Sequence, residues 1–364
     1  MASRAACHGS REAAPAATGQ VCIDARLRTV FTMGCRRGEV AGTAGFHGQP
    51  VDGPLAAILS GYRLRCAQTL ARPPQALRAS GRLPPQRVRR LPHSPGRIAP
   101  GLLRPAREPA LKIATWNVNS LGVRLPHLLD WLAAHPVDAL ALQELKLTDD
   151  KFPHAELQAA GYHAQCFGQR TYNGVALLTR EPAQDVVRNI PGFADEQSRV
   201  IAATVQGVRV IGAYFPNGQA PGSDKFAYKM RWLEALTAWV RQELAAHPSL
   251  VLLGDFNIAP DDRDVHDPVA WAGQIHCTDE ERTHFRALVG CGLHDAFRLF
   301  EQPPRSWSWW DYRNLAFRKN QGLRIDHILV SETLRPRVSA CAIDKEPRRR
   351  ERPSDHAPVI ATLD

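Results

Sequence analysis

The stretch Leu250–Pro260, Leu-Val-Leu-Leu-Gly-Asp-Phe-Asn-Ile-Ala-Pro, restricts the fold more than any other part of this chain. An apolar run of strand length stops at Gly254, which is how a buried strand reads. Asp255 and Asn257 then alternate around Phe256, so both leave the strand's end on one side and present an acid and an amide together. The plain alternative is a turn, because Gly, Asp and Asn are the usual turn formers. Other parts of the chain must decide between the two.

From Leu111 onward the same pattern recurs. Lys112 to Val118 reads as a strand, and Leu125, Leu128, Leu129 and Leu132 form one face of a helix closed by His135-Pro136. Val137 to Leu142 is a second buried strand that delivers Gln143-Glu144 at its end. Pro153 opens a short helix that Gly161 closes, and Tyr162 to Phe167 pairs with Asn173 to Thr179. Gln206-Gly207 joins the strands Val200 to Val205 and Val208 to Phe215 in a hairpin. An amphipathic helix follows, with Phe226, Met230, Leu233, Leu236, Val240 and Leu244 on one face, and its Trp232 and Trp239 read as packing. After Leu253 comes a long loop, whose acid-rich part Asp261 to Asp267 reads as solvated. Thr278 and Glu281 have capping-box spacing at the start of a helix that ends at Gly290. Trp307 to Trp310, Ile325 to Ser331 and Pro358 to Leu363 read as the last strands. Hairpins mixed with helices predict an α+β, four-layer α/β sandwich over residues 111–364: two packed mixed β-sheets flanked by helices.

Composition matters for the first 110 residues. They hold 17 arginines, no lysine and 5 acids, a net of +12, against −2 for residues 111–364, so the whole-chain excess of +10 belongs to this segment. Rich in Arg, Pro and Ala and without a sustained apolar period, it reads as a disordered extension. The expectation is that the native protein begins near Leu111. The rivals are an organellar targeting segment or a basic arm for nucleic acid. No run approaches the ~18 apolar residues of a membrane span. The eight cysteines are scattered without a Cys-x-x-Cys pair, which points to reduced thiols in a reducing, cytoplasmic compartment.

Polar residues sit at strand ends five times: Asn117, Glu144, Tyr214, Asp255 with Asn257, and Asp326. Asp355-His356 precedes the last strand. Each has a dull explanation alone: a turn residue, a surface acid, a half-buried aromatic, or Asp326 as a partner for Arg324. Hard oxygen ligands from several strand ends, with an Asp and a His able to pair, are also what a Mg²⁺-assisted phosphoester hydrolase needs.

The motifs Trp-Asn-Val-Asn, Leu-Gln-Glu, Tyr-Phe-Pro-Asn-Gly, Gly-Asp-Phe-Asn, Gly-Leu-Arg-Ile-Asp and Ser-Asp-His-Ala-Pro occur in this order. Together they resemble the endonuclease/exonuclease/phosphatase superfamily, and within it the exonuclease III type of abasic-site endonuclease. Ser306 to Arg313 and Tyr214 select that branch, and the resemblance covers residues 111–364 only. It implies that Glu144 is the principal Mg²⁺ ligand, with Asn117 and Asp355 beside it and Asn119 in an outer site; Mn²⁺ is able to substitute. Asp255, Asn257 and His356 also lie within reach of the metal centre. Asp255 orients or deprotonates the attacking water, while Asn257 and His356 hold the phosphate and Asp326 fixes the imidazole tautomer; His356 stays open as the alternative base. Tyr214 and Asn217 lie near the phosphate and the leaving 3′-oxygen. Trp309, Leu323 and Ile325 match the pocket for a flipped-out abasic sugar, and Arg124, Arg170, Arg313, Lys319 and Arg348-Arg349-Arg350 are candidate backbone contacts.

The resemblance implies a monomeric DNA phosphodiesterase of base excision repair. It cuts duplex DNA 5′ to abasic sites to leave a 3′-hydroxyl, with 3′-to-5′ exonuclease and 3′-phosphatase activity on blocked ends. The alternatives are a phosphoesterase of the same superfamily acting on a non-DNA substrate, and a non-enzymatic DNA-binding module.

Overall fold

A computed structural model describes residues 110–364. The expectations for the N-terminal extension therefore lie, up to residue 109, outside the described residues.

Two six-stranded sheets form the centre, each mixed and each with one parallel pair. The first has the order β11 (Val338–Ile343), β12 (Val359–Leu363), β1 (Leu111–Asn117), β2 (Ala139–Gln143), β4 (Val175–Thr179), β3 (His163–Phe167). The second runs β5 (Gln184–Arg188), β6 (Val200–Val205), β7 (Val208–Tyr214), β8 (Leu250–Asp255), β10 (Asp326–Ser331), β9 (Leu293–Asp295). The parallel pairs β1–β2 and β7–β8 require crossovers, and helices Leu121–Ala134 and Asp224–Ala246 supply them.

Strand alternation builds the layers. Val251 and Leu253 of β8 face the other sheet, meeting Ile113, Ala141 and Leu177 in one apolar cluster. Leu250 and Leu252 face the other way, against Trp232, Leu233, Leu236 and Trp239 of the long helix. Likewise Trp116 and Leu140 pack on Leu128, Trp131 and Leu132 of the first helix. The order helix, sheet, sheet, helix is the predicted four-layer sandwich, and β8 is buried on both sides as its unbroken apolar run requires. Gly254 ends that run because a Cβ there would lie 1.8 Å from the Ala213 carbonyl oxygen.

Three expectations are corrected. Trp307 to Trp310 is not a strand. Its amides are spent on loops, Ser308 and Trp309 on the Leu323 carbonyl and Trp310 on that of Asp355, which leaves only isolated bridges. The Asp261 to Asp267 loop is not wholly solvated: Asp264 is fully buried and pairs with Arg324 and Arg298. Nor does Arg348, expected as a candidate backbone contact, reach the surface. It is buried against the rings of Trp310, Tyr312 and Phe317 and donates to the Ser354 carbonyl, while Arg349 and Arg350 pair with Glu346 and Asp130.

Arg324, fully buried, is held by Asp264 and Asp295 at 2.5 and 2.8 Å. Its Nη1 donates to Nδ1 of the buried His327, whose Nε2 then donates to the Ile258 carbonyl. Arg324→Met leaves Asp295 without its cation and the buried Asp264 with Arg298 alone, and should cost about 3–5 kcal/mol in urea denaturation. A loss below about 1 kcal/mol would show the cluster to be incidental. Burial and the neighbouring Arg324 depress the His327 imidazole to about 4. An unfolded histidine titrates near 6.5, so the unfolded chain takes up this proton first as pH falls. The contribution of neutral His327 is complete above about pH 6.5 and is lost toward about pH 4. His327→Gln should flatten the acid-side fall in Tm, by the equivalent of roughly 3 kcal/mol at most, and an unchanged slope would contradict this origin.

Candidate active site

The polar strand ends converge at one edge of the sandwich, where the parallel strands of both sheets terminate. Asn117 ends β1, Glu144 follows β2, Tyr214 ends β7, Asp255 ends β8, and Asp326 opens the antiparallel β10 opposite Asp255. Crevices beyond the carboxyl ends of parallel strands are where such sheets bind ligands.

The backbone holds several of these residues in conformations that unconstrained side chains avoid. Asn119, Glu144, Lys146 and Asn257 have φ of 44, 54, 56 and 51°. Left-handed geometry costs a non-glycine residue about 1 kcal/mol or more, least for Asn. The turn after Glu144 is fixed by Leu145 and Lys146 amides donating to the Gly174 and Asn173 carbonyls.

Asn117, fully buried, donates to Glu144 Oε1 at 3.0 Å and to Asp255 Oδ2 at 2.9 Å, and so joins the two sheets. Tyr214 donates its phenol proton to the same Glu144 oxygen at 2.9 Å. Burial first, then Glu144 and Asp255, push that phenol well above its ordinary range, so it stays a donor. Lys146 binds Glu144 Oε2 at 2.8 Å and Asn119 Oδ1 at 2.6 Å, while Asn119 donates to Asp355 and Trp309 donates to that carboxylate's other oxygen. Asp255 accepts from the Asn257 main chain and side chain, and Asn217 donates to Asn257 Oδ1 at 3.3 Å.

His356 lies between two acids. Its Nδ1 faces Asp326 Oδ2 at 2.9 Å and its Nε2 faces Asp255 Oδ2 at 3.7 Å. Burial alone would lower this imidazole, but the Asp326 and Asp255 carboxylates outweigh it and push it up to about 10. Burial pushes Asp255 up to about 7, against the pull of His356 and with the help of Asp326. Asp326 is thus the partner of His356, and Arg324 is committed elsewhere.

Asn117, Asn119, Glu144, Tyr214, Asn217, Asp255, Asn257, Asp326, Asp355 and His356 form one connected network. Trp309 touches it, and Leu323 and Ile325 lie in an apolar cluster with Ala259, Val265, Cys277, Trp271 and Trp309. Arg124 is used within the protein, donating to the Asn119 and Pro353 carbonyls, whereas the exposed Arg313 only chelates Asp311. Sequence reasoning missed several residues that support the site. Lys146 neutralises Glu144; Ser308 accepts from the Ile325 and Asp326 amides; Ser354 donates to the Asn117 carbonyl and accepts from the His356 amide; His276 approaches Asn217 and Asn257. The spacing of Lys146, two residues beyond Glu144, was the one signal available.

A two-sheet sandwich with an Asp–His–Asp relay, two amides and a separate acid at its strand ends defines a phosphoester hydrolase of the expected superfamily. The profile of the Endonuclease/Exonuclease/phosphatase family matches residues 114–356, and the chain belongs to that family. Its relatives are of the exodeoxyribonuclease III type. Exodeoxyribonuclease III of Haemophilus influenzae is 35% identical over 265 residues, covering 69% of this chain and 99% of the relative. The structure of the 3′ phosphatase NExo from Neisseria, bound to a product DNA hairpin, is 52% identical with a TM-score of 0.69, over 70% of this chain and 99% of that one. An AP endonuclease from Archaeoglobus fulgidus is 34% identical with a TM-score of 0.68, over 70% and 99%. These similarities make the chain an enzyme of phosphodiester hydrolysis and a DNA repair nuclease in the broad sense. Among the described residues no helix is long and apolar enough to cross a membrane.

Proposed function

We propose that this enzyme hydrolyses phosphoester bonds of duplex DNA with a divalent metal ion and leaves a 3′-hydroxyl, acting first on blocked 3′ ends. The observation that carries the reading is the Asp255–His356–Asp326 relay set against the Asn217 and Asn257 amides. His356, pushed up to about 10, is protonated at neutral pH and suits a bond to an anionic phosphate. Asp255, near 7, is then the base that takes the proton of the attacking water, its poise close to the working pH. Asp326 holds the imidazole by Nδ1, leaving Nε2 for the phosphate. Asn217 and Asn257 orient the phosphate, and the protonated Tyr214 donates toward the departing 3′-oxygen.

The donor set fits a hard cation. Glu144, Asp355 and the Asn117 and Asn119 carbonyls offer oxygen only, and a lysine ammonium already lies on Glu144 and Asn119. Glu144 would hold Mg²⁺, with Mn²⁺ able to replace it, beside Asn117 and Asp355. When bound, the ion supplies charge stabilisation at the phosphoryl oxygens.

Incision 5′ to abasic sites is the second reading, favoured by the AP endonuclease relative and by the presence of Trp309, Leu323 and Ile325. It ranks second because Leu323 and Ile325 are 0% and 1% exposed, with Trp271 and His276 packed against Trp309. The test compares duplexes carrying a nick with a 3′-phosphate, a recessed 3′-hydroxyl, or an internal abasic analogue, with Mg²⁺ or EDTA. Metal-dependent removal of the 3′-phosphate supports the first reading. Preferential cutting at the abasic analogue would reverse the ranking, and no action on any duplex would sink both.

A further inference from the structure

One buried cation lies behind both amides of the site. Lys229 sits on the long helix Asp224–Ala246 with no exposed surface. Its ammonium has three protons and three acceptors: the main-chain carbonyls of Asn217 at 3.2 Å and Asn257 at 2.8 Å, and Glu281 Oε1 at 2.5 Å. Asn217 and Asn257 belong to the loops that leave β7 and β8. The lysine therefore ties together two segments that diverge from adjacent parallel strands. Glu281, equally buried, accepts from the His276 amide and from the amide and hydroxyl of Thr278, which closes the capping box of helix Asp279–Val289. His276 reaches the same Asn257 carbonyl through Nδ1.

Packing does not explain this arrangement. An unpaired charge in such a place is costly, and an apolar side chain of similar volume would fill it without that cost. What a methionine there would lack is the pair of bonds to the two carbonyls. Asn257 is held with φ at 51°, so its side-chain direction depends on what its backbone is fastened to.

We propose that Lys229 is a positioning residue for phosphoester hydrolysis: its ammonium, balanced by Glu281, fixes the Asn217 and Asn257 backbones and so sets the separation of their side-chain amides. The proposal rests on the reading of those amides as phosphate-holding groups. A misplacement of about 1 Å at such groups can cost on the order of a hundredfold in rate.

The experiment uses the full chain with Lys229→Met, Lys229→Arg, and the pair Lys229→Met with Glu281→Gln, which leaves no buried charge unpartnered. Removal of a 3′-phosphate from nicked duplex DNA is measured alongside Tm. The paired variant is expected to fold with a wild-type-like Tm and to lose at least about tenfold in kcat, with KM and the Mg²⁺ half-saturation nearly unchanged. Lys229→Arg should recover part of kcat. A crystal structure of the paired variant should show the two amides displaced from their wild-type separation. A folded paired variant with wild-type kcat, or with both amides in place, overturns the proposal. Wild-type protein inactive on this DNA would count against the assigned function instead, and the amide separation would still decide the role of Lys229.

Discussion

Asp255→Asn is expected to lower kcat on a 3′-phosphorylated nick by about a thousandfold, within the range that a positioned general base contributes. The carboxylate is 1% exposed and accepts from Asn117, from Asn257 twice, and faces His356. An amide of the same shape keeps the site filled and cannot take a proton from water. Two effects on stability oppose each other. The wild-type carboxylate has a pKa raised by burial, so its ionisation works against the fold at neutral pH, and the amide removes that burden. The amide also turns one acceptor into a donor facing donors, at a cost of about 1–3 kcal/mol. The variant should therefore remain folded, with a Tm within several degrees of wild type. Parallel melts and single-turnover assays would decide the matter. A folded Asp255→Asn protein within tenfold of wild-type kcat would remove Asp255 from the role of base and leave His356 as the group to examine.

The site was legible because its residues follow strands that announce themselves. Leu250 to Leu253, Val210 to Phe215 and Ala139 to Leu142 are runs without a charged residue, and a polar residue that abruptly ends such a run has few reasons to be there. What stayed hidden is the part whose partners are distant in sequence. Asp264 reads as one acid in an acidic loop because its cation, Arg324, comes sixty positions later. Arg348 reads as part of a basic run because the three rings that cover it belong to a separate loop. Lys229 looks like a polar position beside the apolar helix face, whereas it is buried more completely than its neighbour Met230. Edge strands were missed for a different reason. β5 has no buried residue and β11 only two, so neither carries the alternation that would mark it. The tryptophan segment failed in the opposite sense: β-forming side chains lie on a backbone whose bonds go to two loops.

Glu144→Gln tests the metal side of the site independently of the relay. Glu144 Oε1 accepts from Asn117 and Tyr214, and Oε2 from Lys146. Glutamine preserves the first two bonds through its carbonyl oxygen but presents an amide to the Lys146 ammonium and removes the formal charge that a divalent cation needs. The expected result is a rise of at least about tenfold in the Mg²⁺ concentration for half-maximal rate, the lower bound for disturbing even an outer partner of a metal. The rate at saturating Mg²⁺ should fall by about a hundredfold. A readout without DNA separates binding from chemistry. A ligand at about 100 times its Kd stabilises the folded state by about 2.7 kcal/mol and one at about 10 times its Kd by about 1.4 kcal/mol, so at the same Mg²⁺ concentration the rise in Tm of Glu144→Gln should be about half that of wild type or less. An unchanged Mg²⁺ titration in both assays would show that the ion is held elsewhere. The cluster of Asp255, Asp326 and His356, whose ligand atoms lie within 4.8 Å of one another, would then be the remaining place for it. That outcome would also demand a different base, because a carboxylate bound to a cation is held deprotonated and accepts a proton poorly.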